Sequence, residues 1–406
     1  MMLDTGSTTF MILCTSLVML MTPGLAFFYG GLAGKRNILG VMMQTFVSLG
    51  ITTIMWVTIG YSLCFSGGEG GIIGNLDFAF LNGVGFDTMY AGAGNKYPNF
   101  IFIAYQMMFA IITPALITGA FVNRVTFKAY LFFLVVWQLF VYYPFVHMIW
   151  GGGILQEWGV LDFAGGVVVH ATAGFAALAS VFYVGKRRDR QSPPNSIPLV
   201  AIGTGLLWFG WYGFNAGSEL DVNNITTLAF LNTDVAASFA AITWLIIEWS
   251  REGKPKFVGL LTGAVAGLAT ITPAAGFVPL WAAMLIGILA GALCYLAVQL
   301  KNKWGWDDAL DVWGVHGMGG VFGTILLGVF ASSSINGQSG LLEGDGAFFF
   351  KEVVAVLISA TYAFIFTYLM LTIINFITPV KVKMKDEDDG LDASLHGERA
   401  YDDGAL

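Results

Sequence analysis

Two histidines stand apart in this sequence by where they fall. His170 and His316 lie inside long apolar runs, and each follows an aspartate by eight residues, Asp162 and Asp308 respectively. Their flanks are small and apolar, Gly166-Val167-Val168-Val169 before one and Val312-Trp313-Gly314-Val315 before the other. Ionisable groups at membrane depth are rare and face protein or a pore. Eight residues of continuous helix would carry each histidine roughly 12 Å inward from its aspartate. Neither has a cysteine or carboxylate beside it at metal-ligand spacing. Two neutral imidazoles can share one nitrogen–nitrogen hydrogen bond and leave their other nitrogens to line a lumen. A lone buried histidine held by a backbone carbonyl is the blander reading, and the repeated Asp-x7-His unit weighs against it. Asp162 is expected to cap the free N–H groups of a helix N-terminus, where the dipole favours its charge. Asp308 is read the same way.

Helices that span a membrane must position these side chains. The chain has 406 residues, 56% hydrophobic and 11% charged, with a mean hydropathy of +0.73. Soluble domains carry roughly 25% charged residues, so a water-facing surface of this size is excluded. The apolar runs are long and continuous, which excludes the short alternating strands of a membrane barrel. A crossing needs about 20 apolar residues. Such runs fall near 8–32, 39–65, 99–121, 128–148, 163–185, 197–217, 227–249, 257–275, 279–299, 309–332 and 350–378, eleven in all. With the N-terminus outside, one side receives Lys35, Arg36, Arg124, Lys128, Lys186, Arg187, Arg188, Arg190, Arg251, Lys254, Lys256, Lys301, Lys303, Lys381, Lys383, Lys385 and Arg399. These are 17 of the 19 basic residues, leaving only Lys96 and Lys351. Lysine and arginine concentrate in cytoplasmic loops, so the N-terminus is expected outside and the C-terminus inside.

Eleven spans divide into five, five and one. The two Asp-x7-His units fall in the fifth and tenth spans, which fits an inverted repeat of approximately 8–185 and 197–332, with the helix at 350–378 peripheral. The expected fold is therefore an all-α membrane protein, with a transmembrane domain over 1–379 and a cytoplasmic tail over 380–406. The histidines should meet near the pseudo-twofold axis. The N-terminus lacks the basic region of a cleaved signal peptide and reads as the first span. Cys14, Cys64 and Cys294 lie in apolar runs and read as packing residues. The net charge of −7 and the absence of a large basic patch argue against nucleic acid.

Several segments carry a more specific resemblance. His147-Met148-Ile149-Trp150-Gly151-Gly152-Gly153, Asp162-Phe163-Ala164-Gly165-Gly166 with His170, Trp211-Tyr212-Gly213-Phe214-Asn215-Ala216-Gly217-Ser218, and Asp311-Val312-Trp313-Gly314-Val315-His316-Gly317 together resemble the Amt/MEP/Rh ammonium transporter family, Amt branch. The resemblance runs from Pro23-Gly24 to the tail. It implies an ammonium transporter, probed equally by methylammonium, built as a homotrimer with one pore per subunit and needing no cofactor. By motif, Trp150, Ser218 and Phe109 match the family's outer recruitment site, and Phe109 and Phe214 its stacked gate. The run Gln106-Met107-Met108-Phe109-Ala110 is the looser match. His170 and His316 match the pore lining, Asp162 a residue that shapes the recruitment site indirectly, and Asp308 its counterpart. His147 reads as structural. In the tail, Gly390, Leu391 and Asp392, then His396, Gly397 and Glu398, then Tyr401 resemble the segment through which PII proteins of GlnK type regulate family members.

An indole face attracts a desolvated cation by up to ~2 kcal/mol, and a serine hydroxyl accepts a hydrogen bond from ammonium. Potassium is of similar size but cannot shed its charge, whereas ammonium can release a proton. The expected path is recruitment as ammonium, deprotonation near the gate, and passage of ammonia along the histidines in the plasma or inner membrane, either alone or with the proton following through the histidine pair, which would make transport electrogenic. An ammonium sensor and an Rh-type gas channel for ammonia or carbon dioxide are the alternatives. An ion-coupled transporter would want broken helices and carboxylates near mid-depth, neither of which the spans suggest. An enzyme would need a nucleophile–base or metal constellation, and the sequence offers neither.

Overall fold

A computed structural model describes residues 3–401 of the chain. Among the described residues every regular element is a helix, and β pairing is confined to isolated bridges between Met89 and Pro98 and between Val125 and Lys381. Among the described residues, ten helices are long and apolar enough to cross a membrane. They are α1 (Thr5–Leu32), α2 (Ile38–Phe65), α3 (Asn99–Phe121), α4 (Phe127–Trp158), α5 (Gly166–Val184), α6 (Ile197–Glu219), α7 (Asn224–Glu252), α9 (Leu280–Trp304), α10 (Trp313–Phe330) and α11 (Gly346–Ile377). Between α7 and α9 lies α8 (Phe257–Ile271), of only 15 residues. At 1.5 Å per residue it reaches roughly 22 Å, short of a hydrocarbon core of about 30 Å.

The span expected at 257–275 therefore breaks at Ile271. Pro273 supplies no N–H and disfavours helix at the residue before it. The chain continues in turns from Ile271 to Phe277, with Ala274 N–H on Ile271 O at 2.8 Å and Phe277 N–H on Ala274 O at 2.9 Å. These turns are buried, which lets protein rather than lipid surround non-helical backbone. The expectation of unbroken spans is corrected here.

A second correction concerns carboxylates. Asp234 sits near the middle of α7, half-buried, and its Oδ1 accepts from Trp208 Nε1 at 3.1 Å and Tyr212 OH at 2.6 Å. Glu352 lies in the second turn of α11 and is wholly buried. A hydropathy reading averages single charges away in runs this apolar.

The helices that carry His170 and His316 also start later than expected. The segment 159–165 is not helical, and α5 and α10 are the shortest of the ten crossing helices at 19 and 18 residues. Each opens in a π turn, Gly166–Ala171 and Trp313–Gly317, and each π turn holds its histidine. So the histidines are the fifth and fourth residues of their helices. Each histidine thus follows its aspartate through non-helical backbone and a short first turn, not through eight residues of helix. A π turn widens the backbone locally and is common at functional positions.

Small residues let α5 and α10 cross at these turns. A Cβ on Gly174 would lie 2.1 Å from Gly317 Cα, so no side chain fits there. Close crossing of this kind is how helices associate within lipid. Likewise α1 lies along α6, where a Cβ on Gly203 would lie 2.3 Å from Phe28 N.

After α11 the tail forms α12 (Met384–Asp389) and α13 (Leu391–His396). It packs on the loops that carry Lys35, Arg36, Arg124 and Arg188. The last five residues of the expected tail, 402–406, lie outside the described residues.

Candidate functional site

Two cavities approach each other from opposite ends of the helix bundle. The first, about 290 Å³, is lined among others by Gln106, Trp150, Asp162 and Ser218. Its floor is aromatic. Phe109 meets Trp150 edge to face at 6.0 Å and 90°, and stacks on Phe214 at 4.2 Å and 28°. Both phenylalanines are buried. The stack closes this end, since rings at that separation leave no room for water between them. Ser218 Oγ donates to Phe214 O at 2.8 Å, a bond that spends its proton and turns its lone pairs to the cavity.

Beyond the stack the histidines meet. His170 Nδ1 and His316 Nδ1 are 3.3 Å apart, with ring centroids at 5.3 Å and planes at 21°. Both rings are buried, and His170 Nε2 has no hydrogen-bond partner. His170 also lies against Phe214, centroids 6.1 Å apart, and against Trp211 at 5.4 Å. Trp211 is itself fixed by its Nε1, which donates to Thr272 Oγ1 at 2.9 Å in the turns after α8. The break in α8 thus supports the wall of the histidine site. On the far side His316 lines the second cavity, about 190 Å³, with Phe28, Tyr29, Val315 and Asp311.

Asp162 organises the first cavity without needing to touch its contents. Its Oδ1 accepts from Gly165 N–H at 2.8 Å and Gly166 N–H at 2.7 Å, and its Oδ2 from Val167 N–H at 2.8 Å and Val168 N–H at 3.0 Å. Those are the four orphan donors of a helix start. Its carbonyl accepts Trp150 Nε1 at 2.8 Å, so one residue sets both the indole and the helix of His170. Gly165, at φ +115°, makes the turn that brings the carboxylate over the helix end. Asp308 does less: Oδ2 accepts Trp313 N–H at 2.8 Å, and Oδ1 has no partner. Its carbonyl accepts Lys301 Nζ at 2.7 Å, and Lys301 also pairs with Asp311 at 2.7 Å. Beside it, burial pushes the Asp307 carboxyl up, but hydrogen bonds from Arg187 and the charges of Arg124 and Arg187 carry it below the usual carboxylate range.

The structure brings Phe109, Trp150, Phe214, Ser218, His170, His316 and Asp162 into one line. It leaves His147 outside, buried with Nδ1 3.0 Å from Cys64 O. The sequence reading quoted Gln106 and Trp211 in its motifs without giving them a role, and passed over Tyr105 and Thr272. Tyr105 OH bonds Gly213 O and Phe214 O at 2.9 Å each and reaches Ser218 Oγ at 3.2 Å. Its signal was available, because Tyr105 precedes Phe109 by four residues and so shares its helix face. Thr272 had no signal, since its role depends on where α8 ends.

The tail residues sit apart from this line. Asp392 is buried and its carboxylate accepts Ile38 N–H at 3.0 Å and Gly40 N–H at 2.9 Å, capping α2. Burial pushes that carboxyl up, against the bonds from Gly40, Leu39 and Ile38. Leu391 N–H donates to Asn37 Oδ1 at 2.9 Å, and His396 meets Phe127 edge on at 5.3 Å. Gly390 (φ +91°) and Gly397 (φ +69°) bound α13, Glu398 N–H returns to Asp392 O at 3.2 Å, and Tyr401 lines a cavity with Lys35 and Arg36.

Comparison with known proteins places these features in company. A family model described as the Ammonium Transporter Family matches residues 9–401. An ammonium transporter of Bacillus subtilis is 44% identical over 402 residues, covering 98% of this chain and 99% of the relative. The crystal structure of Candida albicans Mep2 superposes with a TM-score of 0.88 at 34% identity, over 95% of this chain and 88% of that one. A structure described as a sensor Amt protein superposes with a TM-score of 0.87 at 27% identity, over 96% of this chain and 97% of that one.

Proposed function

Because the chain belongs to the ammonium transporter family, a multi-pass membrane family, we propose that it recruits ammonium at the Trp150 cavity and passes ammonia through the histidine pair. The observation that carries this reading is the sealed apolar step between the two cavities. It consists of the Phe109–Phe214 stack followed by two buried imidazoles in nitrogen–nitrogen contact. A bare ion in such a passage costs on the order of tens of kcal/mol by Born solvation. A neutral molecule with a few hydrogen bonds does not incur that cost.

Trp150 and Phe109 offer ring faces to the cation, and Ser218 offers an oxygen whose proton is already spent on Phe214. Ammonium returns its proton to water in the open Trp150 cavity at the phenylalanine stack, and the ammonia continues. His170 Nε2, left unpartnered by the shared Nδ1–Nδ1 bond, supplies a hydrogen bond to it before it reaches the second cavity beside His316. Methylammonium, which keeps three N–H donors, takes the same route. Asp162 acts by shaping the site, as its four backbone bonds suggest, and Asp308 is its counterpart in the second half of an inverted repeat. The repeat is supported by the matched π turns and the α5–α10 crossing at Gly174 and Gly317.

In this reading the Trp150 cavity opens outside a plasma or inner membrane, and the tail face is cytoplasmic. The distribution of lysine and arginine supports that orientation. Three copies assemble, and half-buried Asp234 supports a protein-covered face on α7. The tail from 380, docked on α2 through Asp392, is the regulatory element and the landing site for a PII protein of GlnK type. Transport is preferred over sensing because the named transporter relative is 44% identical and the sensor structure 27%.

Proteoliposomes under an inward ammonium gradient test this. Lumenal pH change or current is expected with the wild-type protein and not with His170→Ala/His316→Ala. A silent wild type would leave the sensor reading, and an unchanged double variant would remove the histidines from the path.

A further inference from the structure

α11 falls outside the five-plus-five arrangement of helices, yet it carries the most deeply buried carboxyl of the chain's membrane helices. Glu352 is 0% exposed. Its Oε1 accepts Leu161 N–H at 2.7 Å, and its Oε2 has no partner. An ionisable group inside a membrane helix is expensive and is kept where it has a task. The location of its one bond indicates the task.

Leu161 belongs to the non-helical segment 159–165, so no helical carbonyl takes its N–H. An N–H turned into protein and left without an acceptor is destabilising. The next residue is Asp162, whose carbonyl holds the Trp150 indole and whose carboxylate holds the first turn of α5. Val160, Leu161, Asp162 and Phe163 all line the Trp150 cavity. The neighbouring residues of α11 cover the same segment from behind. Phe350 meets Trp158 edge on at 6.5 Å, and Lys351 Nζ lies 3.0 Å from where a Cβ on Gly159 would stand.

We propose that Glu352 is a positioning residue for the Trp150-side ammonium site. Its bond to Leu161 sets the height of the 160–163 segment. Asp162 then transmits that height to the indole face and to the helix of His170. This gives the eleventh helix a function, as a brace for the recruitment site. The proposal rests on the reading that this cavity takes ammonium.

The test is ammonium uptake by proteoliposomes containing wild type, Glu352→Gln, Glu352→Leu or Glu352→Ser, with KM and maximal rate read separately. Leucine removes the acceptor and serine, two bonds shorter, withdraws it from Leu161, and either serves if the other does not assemble. Both are expected to raise KM about tenfold, the order of one lost hydrogen bond, with maximal rate changed less than about twofold. Glutamine keeps an oxygen for Leu161 and is expected to restore KM to within about twofold of wild type. An unchanged KM in the leucine and serine variants overturns the proposal. So does a glutamine variant as impaired as they are, which would assign the role to the carboxyl proton or charge. A wild type that takes up no ammonium would instead overturn the functional reading itself.

Discussion

Trp150 shows how far a single side chain can be assigned. Its indole is half-buried, pinned by one hydrogen bond to Asp162 O, and its edge partner is Phe109. Replacing it with leucine keeps an apolar wall and removes the ring face. Cation–π attraction is worth roughly 0.5–2 kcal/mol, so KM for ammonium is expected to rise about two- to thirtyfold with maximal rate less affected. An unchanged KM in an uptake assay would mean that the cation binds elsewhere. Asp162 is expected to behave differently. Asparagine leaves one acceptor oxygen for four N–H donors, and alanine leaves none. Charge-assisted bonds contribute about 1.5–3 kcal/mol each, so the ordering of thermal stability should be wild type, then Asp162→Asn, then Asp162→Ala. Both variants should lose uptake in step with stability. A stable Asp162→Ala protein that lacks uptake would point to direct contact with ammonium.

At the scale of elements, most of what mattered was written in periodic apolar runs, and what was missed depends on three-dimensional contact. The span boundaries near Leu32, Phe65 and Phe121 needed only hydropathy. The histidine pair was legible because Asp-x7-His recurs, but its depth was not. The late start of α5 depends on Gly165 turning left-handed and on Asp162 reaching four amides at once, and that of α10 on a left-handed Asp311 (φ +58°) and the single bond of Trp313 N–H to Asp308. The crossing of α5 and α10 is equally tertiary. Gly174→Ala would drive a methyl group to 2.1 Å from Gly317 Cα, and overpacking of this kind costs about 1–3 kcal/mol or more. Uptake and melting temperature are both expected to fall, although Gly174 touches no substrate. The loop before α11 gives a pH signature of its own. Glu343 is held down to about 2 by hydrogen bonds from Ser332 and Ser333. A carboxyl with a depressed native pKa adds stability that is full above its ordinary value of 4.5 and is lost as pH falls toward 2. The melting temperature of wild type should therefore drop across that window more steeply than that of Glu343→Gln.

At the scale of the whole molecule, Asp234 tests what covers the outer face of α7. This carboxyl sits near the middle of α7, the depth at which a charge facing lipid costs roughly 2.5–3.5 kcal/mol or more. Trp208 and Tyr212 donate to Oδ1 from α6, and Phe230 stacks on Tyr212 at 4.3 Å, yet the residue remains half-exposed. Around it Phe209, Phe230, Leu231 and Ile242 are exposed, an apolar face suited either to lipid or to another copy of the chain. The two environments make opposite demands on Asp234. Against lipid, Asp234→Leu should raise the melting temperature and leave the assembly unchanged. Against a second copy, the same change strips Trp208 and Tyr212 of their acceptor inside an interface and should loosen it. Native mass spectrometry of the detergent-solubilised protein is expected to show trimers for wild type and a larger share of monomer for Asp234→Leu. If the leucine variant stays trimeric and melts higher, this face of α7 belongs to the membrane, and the trimer must form through another.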